Sequence, residues 1–162
     1  MFEIKEITNE NELENSVRVI ADSFKTVAVE FNLNRDNCPT HPSLVTLRQL
    51  QEMLRKGLKL FGLFEDNAQV GFVAVEKKKN KVFSLEKLAV LPEYRHKKYG
   101  GELFAFAENY VKNAGGMKLS IGIIDEHIIL KQWYEARGFQ QTAVTKFAHL
   151  PFTVCFMEKV IV

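Results

Sequence analysis

The sequence predicts a mixed α/β domain built in layers, and three observations carry that reading. Strand-length apolar or alternating runs recur along the chain. Longer segments carry apolar residues at helical spacing. Gly, Pro, Asn or Asp punctuates almost every junction between them. Residues 2–7 alternate Phe2 and Ile4 with Glu3 and Lys5, which predicts a first strand. Asn9 with Glu12 three residues on forms a helix-capping pair, and behind it Leu13, Val17, Ile20, Ala21 and Phe24 fall on one helical face. Asn32–Pro42 holds Asn, Asp, Cys and two prolines and reads as a loop. A second helix is expected from Ser43, with Leu47, Leu50 and Leu54 as its stripe and Gly57 as its stop. Lys59–Glu65 and Val70–Val75 read as strands about the tight turn Asp66-Asn67, the second of them apolar on both faces. Lys77–Asn80 turns into a long strand, Val82–Val90, that ends at Leu91-Pro92. Gly100-Gly101 opens a third helix carrying Leu103, Phe104, Ala107, Tyr110 and Val111, and Gly115-Gly116 closes it. Leu119–Ile124 is a short buried strand, His127–Arg137 a fourth helix stopped by Gly138, and Phe139–Leu150 with Thr153–Ile161 a last hairpin interrupted by Pro151. The order is β-α-α-β-β-β-α-β-α-β-β.

At 162 residues, 46% hydrophobic and 26% charged, the chain has the length of one domain and the composition of a folded protein. It contains no run of about 18 apolar residues, as a membrane-spanning helix would need. Met1–Ile7 lacks the basic and then apolar pattern of a secretory signal, so a cytoplasmic protein is expected. Cys38 and Cys155 are too few for a disulfide framework and are expected as free thiols, with no His or Asn assignable to make Cys38 a nucleophile. The formal net charge of +2 argues against a strongly basic nucleic-acid or membrane binder. That charge is unevenly spread. Residues 77–98 hold eight basic and two acidic residues, while the rest of the chain is net −4. The distribution suggests a compact polyanionic partner.

The informative segment runs Leu85-Glu86-Lys87-Leu88-Ala89-Val90-Leu91-Pro92-Glu93-Tyr94-Arg95-His96-Lys97-Lys98-Tyr99-Gly100-Gly101-Glu102-Leu103. A buried strand ends, a basic loop follows, and a helix begins on two glycines. Free amide N–H groups and the dipole at a helix start attract phosphate, and Gly lets the backbone approach a ligand closely. Arg95, Lys97 and Lys98 add charge. The pattern is a pyrophosphate cradle, yet it lacks the Gly-Lys-Ser/Thr of a Walker loop and the three-glycine spacing of a dinucleotide fingerprint.

Leu88-Ala89-Val90-Leu91-Pro92-Glu93-Tyr94-Arg95 and Tyr99-Gly100-Gly101-Glu102-Leu103, followed downstream by Trp133-Tyr134-Glu135-Ala136-Arg137-Gly138-Phe139, resemble the GNAT superfamily of N-acetyltransferases, which bind acetyl-coenzyme A. The resemblance implies that residues 1–162 form a single GNAT-like domain. Its central sheet would be mixed and mostly antiparallel, flanked by helices, with the fourth and fifth strands splayed apart. It implies that acetyl-coenzyme A is the cosubstrate, with the pantetheine arm in the splay against the backbone of Leu88, Ala89 and Val90. The amides of Arg95, His96, Lys97, Lys98, Tyr99, Gly100 and Gly101 would hold the pyrophosphate. Tyr134 matches the tyrosine that protonates the departing thiolate. Two positions depart from the family's pattern. Lys98 stands where a glycine is usual, which a lysine can follow if φ stays negative, and His127 stands in place of an Asn seven residues before the tyrosine, where it can donate a similar hydrogen bond.

An amine must shed a proton before it attacks, because an alkylammonium is not nucleophilic near pH 7. By period two, Ser84, Glu86, Leu88 and Val90 share one strand face, and Glu86 is the only carboxylate there. Glu86 is therefore the candidate base or ammonium ligand. His96 lies in the phosphate loop, whereas His41 and His149 have no companions at metal-ligand spacing, and no metal site is expected. Phe24, Phe31 and Phe61 read as core, with lining of an acceptor pocket as the alternative. The leading function is transfer of acetyl from acetyl-coenzyme A to a primary amine by direct attack in a ternary complex, a small molecule or amino acid being favoured over a protein amine. A non-catalytic acyl-coenzyme A-binding module is the second reading. No nucleic-acid or membrane partner is expected, and a homodimer is left open.

Overall fold

The computed structural model describes residues 1–162. Its strands are β1 (Phe2–Glu6), β2 (Lys59–Glu65), β3 (Ala68–Lys77), β4 (Val82–Val90), β5 (Lys118–Ile124), β6 (Gln140–Lys146) and β7 (Thr153–Val160). Its helices are α1 (Glu10–Glu30), α2 (Leu47–Arg55), α3 (Tyr99–Asn113) and α4 (Ile128–Glu135), with 3-10 turns at Pro42–Leu44 and Pro92–Lys97. The strands form one seven-stranded sheet in the order β1-β2-β3-β4-β5-β7-β6. Only β4 and β5 pair in parallel; every other neighbour is antiparallel.

The predicted caps form. The Asn9 side chain accepts from the Glu12 amide at 2.9 Å, and Glu12 reaches back to the Thr8 amide at 3.4 Å. The second helix starts at Leu47, later than the expected Ser43. A reciprocal cap decides its start: the Thr46 hydroxyl accepts from the Gln49 amide, and Gln49 accepts from the Thr46 amide. Residues 42–44 spend themselves instead on a 3-10 turn capped by His41. β3 extends beyond Val70–Val75 at both ends because ladder pairing continues into its turns, from Glu65↔Ala68 to Lys77↔Phe83.

Helices cover both faces of the sheet. On one, Gln69 of β3 bonds Ser16 of α1 at 2.9 Å, so two buried polar side chains satisfy each other. On the other, Phe61 packs edge-on against Phe106 and Tyr110 of α3, which confirms it as core. Gly71 lies on that same face, where the Leu103 side chain of α3 leaves no room for a Cβ. Beside α3, α4 packs through Trp133 and Tyr134 onto Phe104 and Phe139. The two layers share one core of 32 buried residues, with Phe72, Ile20, Leu60, Leu103 and Leu119 sealed from solvent. Both cysteines are buried free thiols.

Candidate active site

Two irregularities of β4 build the site. The first is its parting from β5. The pairs Val82↔Lys118, Phe83↔Leu119 and Ser84↔Ser120 are the whole of their ladder, although β4 runs on to Val90 and β5 to Ile124. From Leu85 onward one edge of a central strand is therefore left without a neighbour. The second irregularity is a bulge. Ala74 faces Glu86 while Phe72 faces Ala89, so Lys87 and Leu88 together oppose Val73. Lys87 takes a left-handed φ of +55°, as the first residue of one class of such bulges does.

This bulge corrects the expectation that Ser84, Glu86, Leu88 and Val90 share a face. The extra residue shifts the alternation by one. Ser84, Glu86 and Ala89 pair with Glu76, Ala74 and Phe72, on the α1 side. Leu85 and Val90 pair with Val75 and Gly71, on the α3 side. Glu86 makes one side-chain hydrogen bond, accepting from the Ser84 hydroxyl at 3.3 Å, and no ion pair with Lys87 or the hairpin lysines.

β4 leads through the Pro92–Lys97 turn into α3. The first bond of α3 runs from the Glu102 amide to the Lys98 carbonyl at 3.2 Å, leaving the amides of Tyr99, Gly100 and Gly101 with no protein acceptor. Gly100 and Gly101 are half-buried beneath Trp133 and Arg137, with the Arg137 guanidinium 3.2 Å from where a Cβ on Gly101 would stand. Lys98 enters α3 with φ +64° and ψ 21°, so the expectation of a negative φ is overturned. The lysine follows the glycine path in the left-handed region, at a cost of about 1–2 kcal/mol.

The charges of this loop are deployed differently from the sequence reading. Arg95 turns back on the fold. Its guanidinium donates to the Val90 carbonyl at 3.1 Å, the Thr26 hydroxyl at 3.1 Å and the Ser23 carbonyl at 2.6 Å, tying the end of β4 to α1. Lys97 is paired with Glu65 at 2.9 Å, and the Tyr99 hydroxyl bonds the same carboxylate, which pushes the Tyr99 phenol up to about 12. His96 and Lys98 remain exposed at the cradle. The local basic excess also divides. The hairpin lysines lie at the start of β4 and the cradle past its end, about 26 Å apart at strand rise, well beyond a Debye length of about 8 Å. They form no single polyanion surface.

Tyr134 is 5% exposed, wedged edge-on between Trp133 and Phe139, and burial holds its phenol above the ordinary tyrosine range. Its hydroxyl has no protein partner, although no buried side-chain oxygen or nitrogen is left sealed and unbonded. The hydroxyl therefore reaches an opening. His127 caps α4, its Nδ1 accepting from the Leu130 amide at 3.4 Å, and its ring meets Phe31 of the α1 end. With Nδ1 accepting, Nε2 is the ring nitrogen left to donate.

A family model for the acetyltransferase (GNAT) domain matches residues 22–160. The chain belongs to the GNAT acetyltransferase family. Solved GNAT-fold structures align over nearly its full length. A GNAT-family acetyltransferase from Staphylococcus aureus Mu50 shares 22% identity over 100% of both chains, with a TM-score of 0.75. The PaiA N-acetyltransferase of Thermoplasma acidophilum, solved with coenzyme A, shares 21% over 99% of both, also at 0.75. The ribosomal-protein-S18-alanine N-acetyltransferase of Escherichia coli shares 13% over 99% of this chain and 94% of its own, at 0.79.

The cosubstrate of the GNAT family is acetyl-coenzyme A, and the groups present suit it: an unpaired strand edge, three free amides at a glycine-opened helix, and an unpartnered phenol next to the Trp133 that covers Gly100. Of the other sequence candidates, Leu88 and Tyr99 lie in these elements, His149 is exposed beside Phe147 in the β6–β7 connection, and Phe24 stands against His41. Sequence reasoning passed over Arg137. Its guanidinium stacks on Trp133 at 3.5 Å, donates to the Trp133 carbonyl, and stands beside Gly101 unpaired with any acid. It was legible only as part of the Trp133–Phe139 motif. No helix is long and apolar enough to cross a membrane.

Proposed function

We propose that this GNAT chain, acting as one domain over residues 1–162, transfers acetyl from acetyl-coenzyme A to the primary amine of a small molecule or amino acid. The observation that carries this reading is spatial. The unpaired edge of β4 leads through the single turn Pro92–Lys97 to the free amides of α3, so a ligand with an extended amide-bearing arm and a pyrophosphate meets both partners in order. When bound, the cosubstrate supplies the activated thioester. The amides of Tyr99, Gly100 and Gly101 hold its pyrophosphate and the backbone of Leu88, Ala89 and Val90 its arm, with Lys98 and Arg137 adding charge and His96 a ring nitrogen at the mouth.

Glu86, unpaired on the α1 side, takes the proton of the incoming ammonium or positions it for loss through water. Tyr134 donates a hydrogen bond to the sulfur as negative charge develops there. Its raised pKa keeps it protonated, and complete proton transfer to a thiolate with a pKa of about 8.5 is uphill. The contribution of Tyr134 is therefore chiefly electrostatic, with full protonation left to solvent. Incubation with acetyl-coenzyme A and a broad amine panel, read as free-thiol release, tests the reading. Turnover should fall about 100- to 10,000-fold in Glu86→Gln, with the pH–rate profile losing its acid limb. Tight cofactor binding with no turnover of any amine would instead favour the non-catalytic module.

A further inference from the structure

Phe156 is 36% exposed although its strand, β7, has a neighbour on each side. The residues paired with it are the smallest amino acids, Gly122 of β5 and Ala143 of β6, and both are exposed. The ring therefore lies in a shallow trough, turned over Gly122, with Val154 two residues along on the same face. Nothing in the fold requires glycine at 122. Its φ is not left-handed, and β5 and β7 pair through it without a bulge. An added Cβ would stand 3.4 Å from the Phe156 ring and 3.6 Å from a Val154 methyl, which are ordinary contact distances. Glycine weakens a strand, and the use left for it here is to let another molecule approach closely.

The trough opens on the parting of β4 and β5. Ser84↔Ser120 is the last pair of the two strands, and two residues beyond it, on the same face, stand Glu86 and Gly122. Glu86 is tied to that last pair, accepting from the Ser84 hydroxyl at 3.3 Å. The Phe156 ring thus lies on the residue level with Glu86 across the parting. In the next row of the same face the one acid, Glu158, is neutralised by Lys118 at 3.6 Å. We infer that Phe156 determines acceptor specificity, and that the acceptor is a primary amine with an aromatic body, its ring in the trough of Gly122 and Phe156 and its amine at the parting beside Glu86. This rests on the acetyltransferase reading and narrows its acceptor. An aromatic ring on Phe156 removes apolar surface of both partners from water and gains ring–ring packing. A polyamine would instead bring a second ammonium to a row, Gly122, Phe156 and Ala143, that carries no charge.

The test compares benzylamine and phenethylamine with methylamine and ethylamine as acceptors, each pair sharing one linker, in the wild-type chain, Phe156→Ala and Gly122→Ala. The readout is the ratio of kcat/KM for the aryl over the alkyl amine, in which a general loss of activity cancels, and thermal melting confirms that each variant is folded. Burial of one ring face sets a wild-type ratio of about 10- to 100-fold for the better pair, and Phe156→Ala should bring it to within about 3-fold of unity. Gly122→Ala, whose methyl fits the strand but raises the floor, should lower the ratio about 3- to 10-fold while melting no lower than wild type. A wild-type ratio near unity overturns the inference, as does a preference that survives Phe156→Ala or is untouched in Gly122→Ala. Spermidine and the L-amino acids run in parallel separate the two levels. Turnover of one of these without the aryl amines removes the acceptor assignment and leaves the acetyltransferase standing; no turnover of any amine removes both.

Discussion

Arg95 sits in the basic loop expected to meet phosphate, and its guanidinium is bonded into the fold instead. In Arg95→Ala the Val90 and Ser23 carbonyls lose part-buried, charge-assisted bonds of 3.1 and 2.6 Å, and Thr26 loses an exposed one. The residue is itself largely exposed, so each part-buried bond is discounted for solvent to about 1 kcal/mol and the Thr26 contact to little. The loss is about 2 kcal/mol, which for a chain of this size lowers Tm by about 4–8 °C. Differential scanning calorimetry without cofactor reads it. Lys97→Ala, which removes a surface pair with Glu65 and a 5.3 Å cation–π contact with Tyr94, is the control and should melt close to wild type. Coenzyme A affinity, measured by calorimetric titration at a temperature where both proteins are folded, should change less than about 3-fold in Arg95→Ala. A variant that melts like wild type while losing ten-fold or more in affinity would refute the clamp and make Arg95 a phosphate ligand.

Lys98→Gly should be neutral or raise Tm by up to about 4 °C, because relief of the left-handed strain is partly offset by the entropy of glycine in the unfolded chain, whereas Lys98→Ala should gain nothing. Tyr134→Phe should cut kcat about 10- to 100-fold in steady-state assays with little change in the KM for acetyl-coenzyme A, and leave the melting temperature at pH 7 nearly unchanged, since the hydroxyl has no protein partner. Burial holds the Tyr134 proton in the folded state after the unfolded chain has begun to release its own. The associated stability is therefore complete below about pH 10 and is lost as pH rises above it. Melting curves from pH 8 to 11.5 should fall at the alkaline end, less steeply in Tyr134→Phe, with the remainder belonging in part to Tyr99, whose phenol is pushed up to about 12.

The order of elements was legible because each boundary has a local cause: the Asn9 cap, the Asp66-Asn67 turn, Gly138 after the last helix. The start of α2 was misplaced because Thr46 and Gln49 form a capping pair that the apolar stripe alone does not reveal. The bulge in β4 is a subtler case. The strand's apolar residues fall at 82, 83, 85, 88, 89 and 90, a pattern that no single period of two fits, and the step of three between Leu85 and Leu88 is the trace of the inserted residue. Partner choice was not legible at all. That Arg95 bonds α1 about 70 residues back, that Lys97 pairs with Glu65, and that Arg137 comes to rest on Trp133 beside Gly101 are outcomes of packing between distant segments. The motif located the cradle, and tertiary contacts decided which of its charges remain free.

The central claim is that acetyl-coenzyme A lies in the parting of β4 and β5 with its pyrophosphate on the first amides of α3. A crystal structure with coenzyme A bound tests it most directly. The account predicts pyrophosphate oxygens within hydrogen-bond distance of the Tyr99, Gly100 and Gly101 amides, and the thiol end between β4 and β5 near the Tyr134 hydroxyl. Phosphates bound elsewhere, or a helix start that faces no phosphate at all, would contradict it.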